Sequence, residues 1–250
     1  MQQMIPISKI IFLSVTGLFM LNNYGKVQNI ASDDDRTVAR LTRYEVKPAY
    51  NAAFQKALSD YVLYSLHSEN NIMSEAYIEQ DTTAILWLME RWTGKNDLDK
   101  VVKSTTYKVI QSLAENALVQ PATIIDLQDL EPLTKQQWRR LPDKKDNPLT
   151  IMLFVNAKPG TENRFKDVYH TAMPLFRSEA GVVNYQLSQL ENDSTQFVTY
   201  EKFRNEEAFQ YHLQFPPIQP VIDYLNTSIK QQPFQAGLHR LIEFAPVKRK

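Results

Sequence analysis

The chain has 250 residues, enough for one large domain or two small ones with a sizeable buried core. Hydrophobic residues make up 43% of it and charged residues 22%, which are ordinary globular values and exclude wholesale disorder. The 28 basic and 28 acidic residues cancel, so no nucleic acid is expected as a partner.

The residue types that bind metals or form disulfides are few. Cysteine is absent, which excludes disulfides, thiolate catalysis, cysteine-ligated zinc and iron–sulfur clusters. The four histidines show no metal-ligand spacing such as HxxxH; they are His67, His170, His212 and His239. The sequence therefore predicts no metal site built from histidine pairs, while a carboxylate site stays open.

The first 31 residues predict a secretory signal peptide. Residues 9–21, KIIFLSVTGLFML, are one lysine followed by an apolar run that is shorter than the ~20 residues of a membrane span. A polar stretch and the small pair Ala31-Ser32 follow. We expect an exported protein, periplasmic or secreted, with no stable membrane span after signal removal. The alternative is an N-terminal membrane anchor that stays uncleaved.

The rest of the chain contains an internal duplication. VKPAYNAAF aligns with AKPGTENRF and LWLMERW with FVTYEKF at an offset of 111 residues, and HSEN aligns with RSEA at 110. A repeat of this size predicts two related domains rather than a solenoid. The predicted organisation is a first repeat over residues 38–130, a linker over 131–148 and a second repeat over 149–246.

Both repeats predict the same order of elements. The first strand is VARLTRYEV or LTIMLFVNA, and a Lys-Pro pair ends it. An amphipathic helix follows, then two strands, which in the second repeat are GVVNYQLSQL and TQFVTYEKF. A second helix begins near Asn205, and a last strand closes the repeat. The order β-α-β-β-α-β is the ferredoxin-like split, so the predicted fold class is α+β.

Several strands are apolar at successive positions, among them ILWLM and IMLFV, so both faces of each sheet are expected to be dry. The repeat's own helices would cover one face and the sheet of the sister repeat the other. We therefore predict a pseudo-dimer within one chain, with a cavity between or beside two facing sheets. Further oligomerisation stays open. The linker is expected to cross the surface and to dock Trp138 on one domain.

The second repeat resembles the antibiotic biosynthesis monooxygenase family, which includes small quinol monooxygenases. AKPGTENRF, FRSEAGVVNYQLSQL and FVTYEKFRNEEAFQYHL carry the resemblance. The first repeat resembles the family faintly, because it has Ala49 in place of the glycine of Lys-Pro-Gly and lacks the helix histidine. The resemblance implies a dimeric α/β barrel that oxygenates small aromatic substrates with dioxygen and needs no cofactor. The family also contains haem-degrading members. Ile222 stands where their axial histidine would be, which argues against that activity.

His212 is the candidate catalytic residue. Its sister position in the first repeat is Val101, which indicates an inward-facing site where a histidine could accept a substrate proton. The alternative is a core histidine satisfied by a backbone or carboxylate partner. Candidate substrate contacts are Tyr185, Asn184, Tyr200, Trp87 and Arg177. Core packing for the aromatic residues and helix capping for Arg177 are the competing explanations.

Three functions are compatible with these patterns. We favour an exported, cofactor-independent monooxygenase that acts on a small aromatic, quinol or anthrone-like substrate. In this hypothesis the second repeat keeps the site and the first serves as its partner and lid. The alternatives are a non-catalytic exported binding protein for a hydrophobic small molecule, and an isomerase or lyase for a small cyclic acid.

Overall fold

The computed structural model describes residues 36–232 and 237–246, and the predicted signal peptide lies outside them. The strands are β1 (Val38–Glu45), β2 (Asn71–Glu79), β3 (Ile85–Trp92), β4 (Thr123–Leu130), β5 (Leu149–Asn156), β6 (Val182–Leu190), β7 (Asp193–Phe203) and β8 (Leu238–Ala245). The helices are α1 (Asn51–Leu66), α2 (Lys95–Val101), α3 (Thr105–Ala117), α4 (Lys135–Trp138), α5 (Glu162–Ser178), α6 (Glu206–Gln214) and α7 (Gln219–Thr227).

Each repeat follows the predicted β-α-β-β-α-β order, and in each the second helix is split into two. In the second repeat a 3₁₀ turn, Pro216–Ile218, separates α6 from α7, because proline lacks the N–H that would continue the helix. Helix α6 begins where the sequence predicts. The Asn205 side chain accepts a hydrogen bond from the Ala208 N–H at 2.8 Å, which satisfies one of the free donors of the first turn.

The eight strands close into one barrel, in the order β1-β3-β2-β8-β5-β7-β6-β4. Within each repeat the last strand lies beside the first, as in a ferredoxin-like sheet. The two sheets are joined along two antiparallel seams, β2 with β8 and β4 with β6. The predicted pseudo-dimer is thus a closed barrel of joined sheets, in which the edge strands of the two repeats pair with each other over part of their length.

The seams pair only half of β2 and half of β6. Strand β8 pairs with β2 from Ala76 onward, and β4 pairs with β6 from Leu187 onward. Both strands also carry a register shift near their beginning. The two seams are therefore related by the internal duplication, and each leaves a strand beginning that another segment of the chain must cover.

The core is divided into three layers. The helices of the first repeat pack on the outer face of its sheet around Phe54, and those of the second repeat pack likewise around Phe165. A third cluster fills the barrel interior and includes Trp87, Met89 and Tyr200. Both sheet faces are therefore buried, which accounts for strands that are apolar at successive positions.

The linker contacts the beginnings of β2 and β6, through Arg139 with Asn71 and through Gln137 with Asn184. It contains the short helix α4, which begins with a capping box between Thr134 and Gln137. Trp138 ends this helix and is only 2% exposed, because its ring enters the barrel-interior cluster. The expected docking of Trp138 thus takes place at the barrel rather than on the surface of one domain.

Among the helices of the described residues, none has the length and apolar composition of a membrane-spanning segment.

Candidate functional site

His212 lies between helix and sheet in the second repeat and is buried, with 2% of its residue surface exposed. Its Nδ1 is 2.7 Å from Oε1 of Glu179, whose side chain is equally buried. The rings of Phe176, Phe203 and Tyr185 surround the imidazole with centroid distances of 4.7, 5.3 and 5.5 Å. Direct packing of these rings leaves the imidazole enclosed, so its catalytic role stays a prediction.

A second buried carboxyl group lies near this pair. Glu201 accepts hydrogen bonds from the hydroxyl groups of Tyr185, at 3.0 Å, and Thr199, at 2.7 Å. Burial raises the pKa of Glu201, while the nearby His212 and the two hydroxyl donors oppose that rise. Glu90 occupies the matching register position in the first repeat and accepts a hydrogen bond from Tyr61. The hydrogen-bonded carboxyl group is thus a feature common to both helix layers.

Three predicted substrate contacts meet at the β4–β6 seam. Arg177, Asn184 and Tyr185 line a cavity of about 50 Å³ there, together with linker residues. Arg177 donates to the backbone oxygens of Tyr185 and Glu131, and Asn184 donates to that of Gln137. These donors stabilise the linker and the strand edge. A cavity of this size holds waters but has no room for an aromatic ring.

The duplication relates this small cavity to a larger one near the β2–β8 seam. The larger cavity has a volume of about 320 Å³, and we name it the linker cleft. It lies between the end of α1, the first half of β2 and the linker, and its walls are mainly apolar. This volume is at the lower end of the range for small-molecule sites. Its lining residues are Leu63, Leu66, His67, Met73, Ser74, Glu75, Trp138, Arg139, Arg140, Leu141 and Pro246.

His67 lies at the exposed rim of the linker cleft, at the C-terminal end of α1. Its Nδ1 is 2.6 Å from the backbone oxygen of Leu63. A carbonyl oxygen only accepts, so Nδ1 carries the proton and Nε2 of the neutral ring is left with a free lone pair. This tautomer leaves a proton acceptor on a residue that lines both the linker cleft and a neighbouring surface cavity of about 310 Å³. His67 was not a candidate from the sequence, because its position on the helix, opposite the apolar stripe, indicates a solvated residue.

Glu75 lies on the inner side of the cleft, where β2 faces the barrel interior. Its Oε2 accepts hydrogen bonds from the hydroxyls of Tyr200, at 2.6 Å, and of Tyr77, and its Oε1 is 2.9 Å from Nζ of Lys202. Burial alone would raise the pKa of Glu75, but the Lys202 charge and the two tyrosine donors outweigh it, so this pKa lies below its ordinary value. The carboxylate therefore stays charged at neutral pH.

Lys202 joins the two repeats inside the barrel. Its Nζ contacts Glu75 of the first repeat and Oε2 of Glu243, on β8, at 2.7 Å. Burial lowers the pKa of Lys202, yet the adjacent Glu75, Tyr200 and Glu243 raise it well above its ordinary value. The matching position on β3 holds Arg91, which is paired with Asp129 at 2.7 Å. Each half of the barrel thus has one buried, compensated cation.

The predicted contact residues do not form one site. Tyr200 lies behind the linker cleft as a donor to Glu75, whereas Tyr185 points to the helix layer. Trp87 is further along the barrel, where its Nε1 donates to Glu79 at 2.8 Å and its ring lies 5.6 Å from that of His239. The described residues contain no group of three or more His, Cys, Asp or Glu side chains that could hold a metal ion.

Solved structures with low sequence identity share this fold. A candidate monooxygenase from Lactobacillus acidophilus NCFM has a TM-score of 0.69 at 12% identity, covering 83% of this chain and 94% of that one. Another from Fusobacterium nucleatum has a TM-score of 0.70, also at 12% identity, covering 83% and 92%. An anthrone oxidase-like protein has a TM-score of 0.58 at 11% identity, covering 83% and 92%. These similarities establish the whole α+β barrel, with both repeats.

Sequence comparison identifies the second repeat. An uncharacterized protein of Synechocystis sp. is 24% identical over 98 residues, which are 39% of this chain and 66% of that protein. The family model for antibiotic biosynthesis monooxygenase matches residues 148–222, from the start of β5 into α7. The match includes the segments that suggested this family in the sequence analysis. Residues 148–222 therefore match the antibiotic biosynthesis monooxygenase family, and the fold pairs this domain within one barrel with a first repeat that has the same order of elements.

Proposed function

We propose that the protein is a cofactor-independent monooxygenase whose substrate, a small phenol or quinol, binds in the linker cleft. The observation that carries this proposal is the combination, in one cleft, of apolar walls, a histidine with a free Nε2 and a buried carboxylate. Such a cavity has the makeup of a small-molecule site. The family of the second repeat supports the reaction type.

In the proposed mechanism, Nε2 of His67 accepts the proton of a substrate hydroxyl. The resulting anion transfers one electron to dioxygen, and the two radicals combine to form a carbon–oxygen bond. Cleavage of the oxygen–oxygen bond then leaves one oxygen atom on the ring and releases the other as water. For a hydroquinone the products are a hydroxyquinone and water, so the substrate supplies all the electrons and no external reductant is required.

The protein's part in this reaction is to orient the ring and to exchange protons. The Leu63 carbonyl fixes the tautomer of His67, and the rim arginines Arg139 and Arg140 provide positive charge near the developing anion. The apolar walls reduce the contact of the substrate ring with water, while the proton is taken up by His67 at the rim. His67 returns its proton when water is released.

The test is dioxygen uptake with a panel of hydroquinones, catechols and anthrones, in the presence of a chelator and without added flavin or haem. We expect uptake above the rate of autoxidation with the hydroquinones and catechols, and a decrease of about 100-fold in His67→Gln, the usual size of a general-base contribution. His170→Gln is the matched control, because His170 is an exposed histidine that pairs with Glu131 on the surface.

His212→Gln separates this site from the one in the second repeat. If uptake is lost in that variant while its melting temperature is unchanged, the chemistry belongs to His212 and the linker cleft is not the active site. If the panel binds but no dioxygen is consumed, the protein is the binding protein considered as the alternative. A melting temperature lower than that of the native protein is the result expected for His212→Gln, because His212 is buried and paired with Glu179.

We also propose that the protein is exported. The apolar run at residues 10–21 and the small pair Ala31-Ser32 support this proposal. Fusion of residues 1–40 to a reporter enzyme that is active only outside the cytoplasm would test it. An inactive reporter, made at normal levels, would refute export.

A further inference from the structure

The side chain of Trp138 forms part of the inner wall of the linker cleft. It belongs at the same time to the cluster that fills the barrel interior, where it is 2% exposed. The indole therefore stands between the cleft and the interior. Its neighbours on the barrel side include Tyr200, whose ring lies edge-on at 5.2 Å between centroids.

A buried charge fixes the position of this ring. The guanidinium carbon of Arg91 lies 4.0 Å from the centroid of the Trp138 ring, a cation–π contact made away from solvent. Arg91 is itself held by Asp129 through two hydrogen bonds of 2.7 and 3.1 Å. Since the cation cannot move without breaking a buried ion pair, the indole has a fixed position rather than a choice of rotamers.

The backbone around Trp138 is attached to both repeats. Arg139 donates to the carbonyl oxygens of Asn71, at 2.8 Å, and Ile72, at 3.2 Å, at the unpaired beginning of β2. On the other side, Asn184 donates to the carbonyl oxygen of Gln137 at 2.8 Å. The residues on either side of Trp138 are thus anchored to opposite seams, which prevents the linker from withdrawing the ring.

The same segment accounts for the difference between the two seams. At the β4–β6 seam the linker and Arg177 fill the space and leave about 50 Å³, whereas at the β2–β8 seam about 320 Å³ stays open. Trp138 is the largest side chain that lines the open cleft, and it shares the inner side with Glu75. We propose that Trp138 determines the size of the ring system that the linker cleft accepts, admitting one or two fused aromatic rings and excluding three. This inference rests on the proposed function, in so far as it takes the cleft as the ligand site.

Binding of monohydroxy arenes of increasing size tests the proposal without relying on turnover. Phenol, 1-naphthol and 9-phenanthrol are titrated into the full-length protein under nitrogen, with isothermal titration calorimetry as the readout. We expect the native protein to prefer phenol and 1-naphthol. In Trp138→Leu the affinity for 9-phenanthrol relative to phenol should rise at least tenfold, which corresponds to about 1.4 kcal/mol. Trp138→Phe should show an intermediate change.

The control is Phe165→Leu, an aromatic-to-aliphatic change at a residue with 0% exposure in the helix layer of the second repeat. It should lower the melting temperature without changing the order of affinities. If Trp138→Leu does not fold, Trp138→Phe carries the test. An unchanged order of affinities in the folded Trp138 variants overturns the role of Trp138 alone. Absence of binding of all three arenes to the native protein overturns the cleft as a phenol site, and the proposal with it.

Discussion

The partners of the buried Glu75 could not be predicted from its neighbours in the sequence. It is an acid within a mostly buried strand, NIMSEAYIE, and its side chain is compensated by Tyr200 and Lys202, which are more than 120 residues away. Glu75 was not a candidate from the sequence, because no local pattern indicates which distant cation a buried acid will meet. Tyr200, by contrast, was a candidate, but as a contact for the substrate rather than as a donor to Glu75.

The lowered pKa of Glu75 makes a prediction for the pH dependence of stability. A carboxyl group whose folded pKa lies below its unfolded value stabilises the fold fully above the unfolded value, and this contribution is lost as the pH falls through the folded value. Glu75→Gln should therefore lower the free energy of unfolding at neutral pH by about 3 kcal/mol. The difference from the native protein should shrink below about pH 4.5.

Urea unfolding between about pH 7 and about pH 3 measures this difference. Glu191→Gln is the control, because Glu191 forms an exposed ion pair with Arg36, and such pairs contribute little. A difference between native and Glu75→Gln protein that stays constant down to the lowest pH would show that Glu75 carries no charge in the fold. Glutamine is a fair replacement, since Gln186 occupies the matching register position on β6.

At the scale of elements, the sequence predicted most of what the structure contains. Alternation between Lys-Pro stops, amphipathic segments and apolar runs located the strands and the start of α6 at Asn205, because these signals are local. Helix α4 was missed, since a helix of four residues has no periodicity. Its capping box, Thr134 with Gln137, was the available signal, but a charged, proline-containing stretch indicated an irregular linker.

Two positions in the second repeat require glycine for different reasons: Gly181 because of close packing and Gly160 because of its backbone conformation. A Cβ built on Gly181, just before β6, would lie 2.4 Å from the Cβ of Ala208 on α6, so strand and helix would have to move apart. Gly160 has a φ of +86° and no atom near such a Cβ. We expect Gly181→Ala to cost about 3 kcal/mol through overpacking and Gly160→Ala about 1 kcal/mol through strain.

Chemical denaturation of the two glycine variants, side by side, checks this order. The comparison also bears on the duplication, because Ala49 replaces the matching glycine in the first repeat. If Gly160→Ala were the more harmful change, the positive φ rather than helix–strand contact would be the stricter requirement of this fold.

At the scale of the whole molecule, the duplication predicted a pseudo-dimer, but not how its sheets are joined. The strand patterns predicted two facing sheets, and the family resemblance predicted a dimeric α/β barrel. The structure confirms the barrel and adds the two seams that close it. Strand composition does not indicate which edges meet, because edge pairing depends on register and on residues from both repeats. The linker cleft could not be predicted from the sequence either, because its walls come from three separate segments: α1, β2 and the linker.

The seams predict that the barrel survives a cut in the linker. A protease site inserted between Lys144 and Lys145, both exposed, should allow cleavage without separation of the halves. Strand pairing at both seams and the Lys202–Glu75 ion pair would hold the fragments together. Size-exclusion chromatography after cleavage should give one peak that contains both fragments. Two peaks would show that the linker, rather than the seams, maintains the assembly.

Fusion of the two copies has a consequence for how this protein can change. In a symmetric homodimer every substitution occurs twice, so a change that improves one binding site also alters the wall that supports the other. In this chain Arg177 lies at the filled cavity and His67 at the open one. Neither residue has an identical copy at the other cavity, so each can change independently. With the ligand site proposed in the linker cleft, the residues that line it can change while the opposite seam preserves the barrel, and a saturating ligand should bind at a ratio of one per chain.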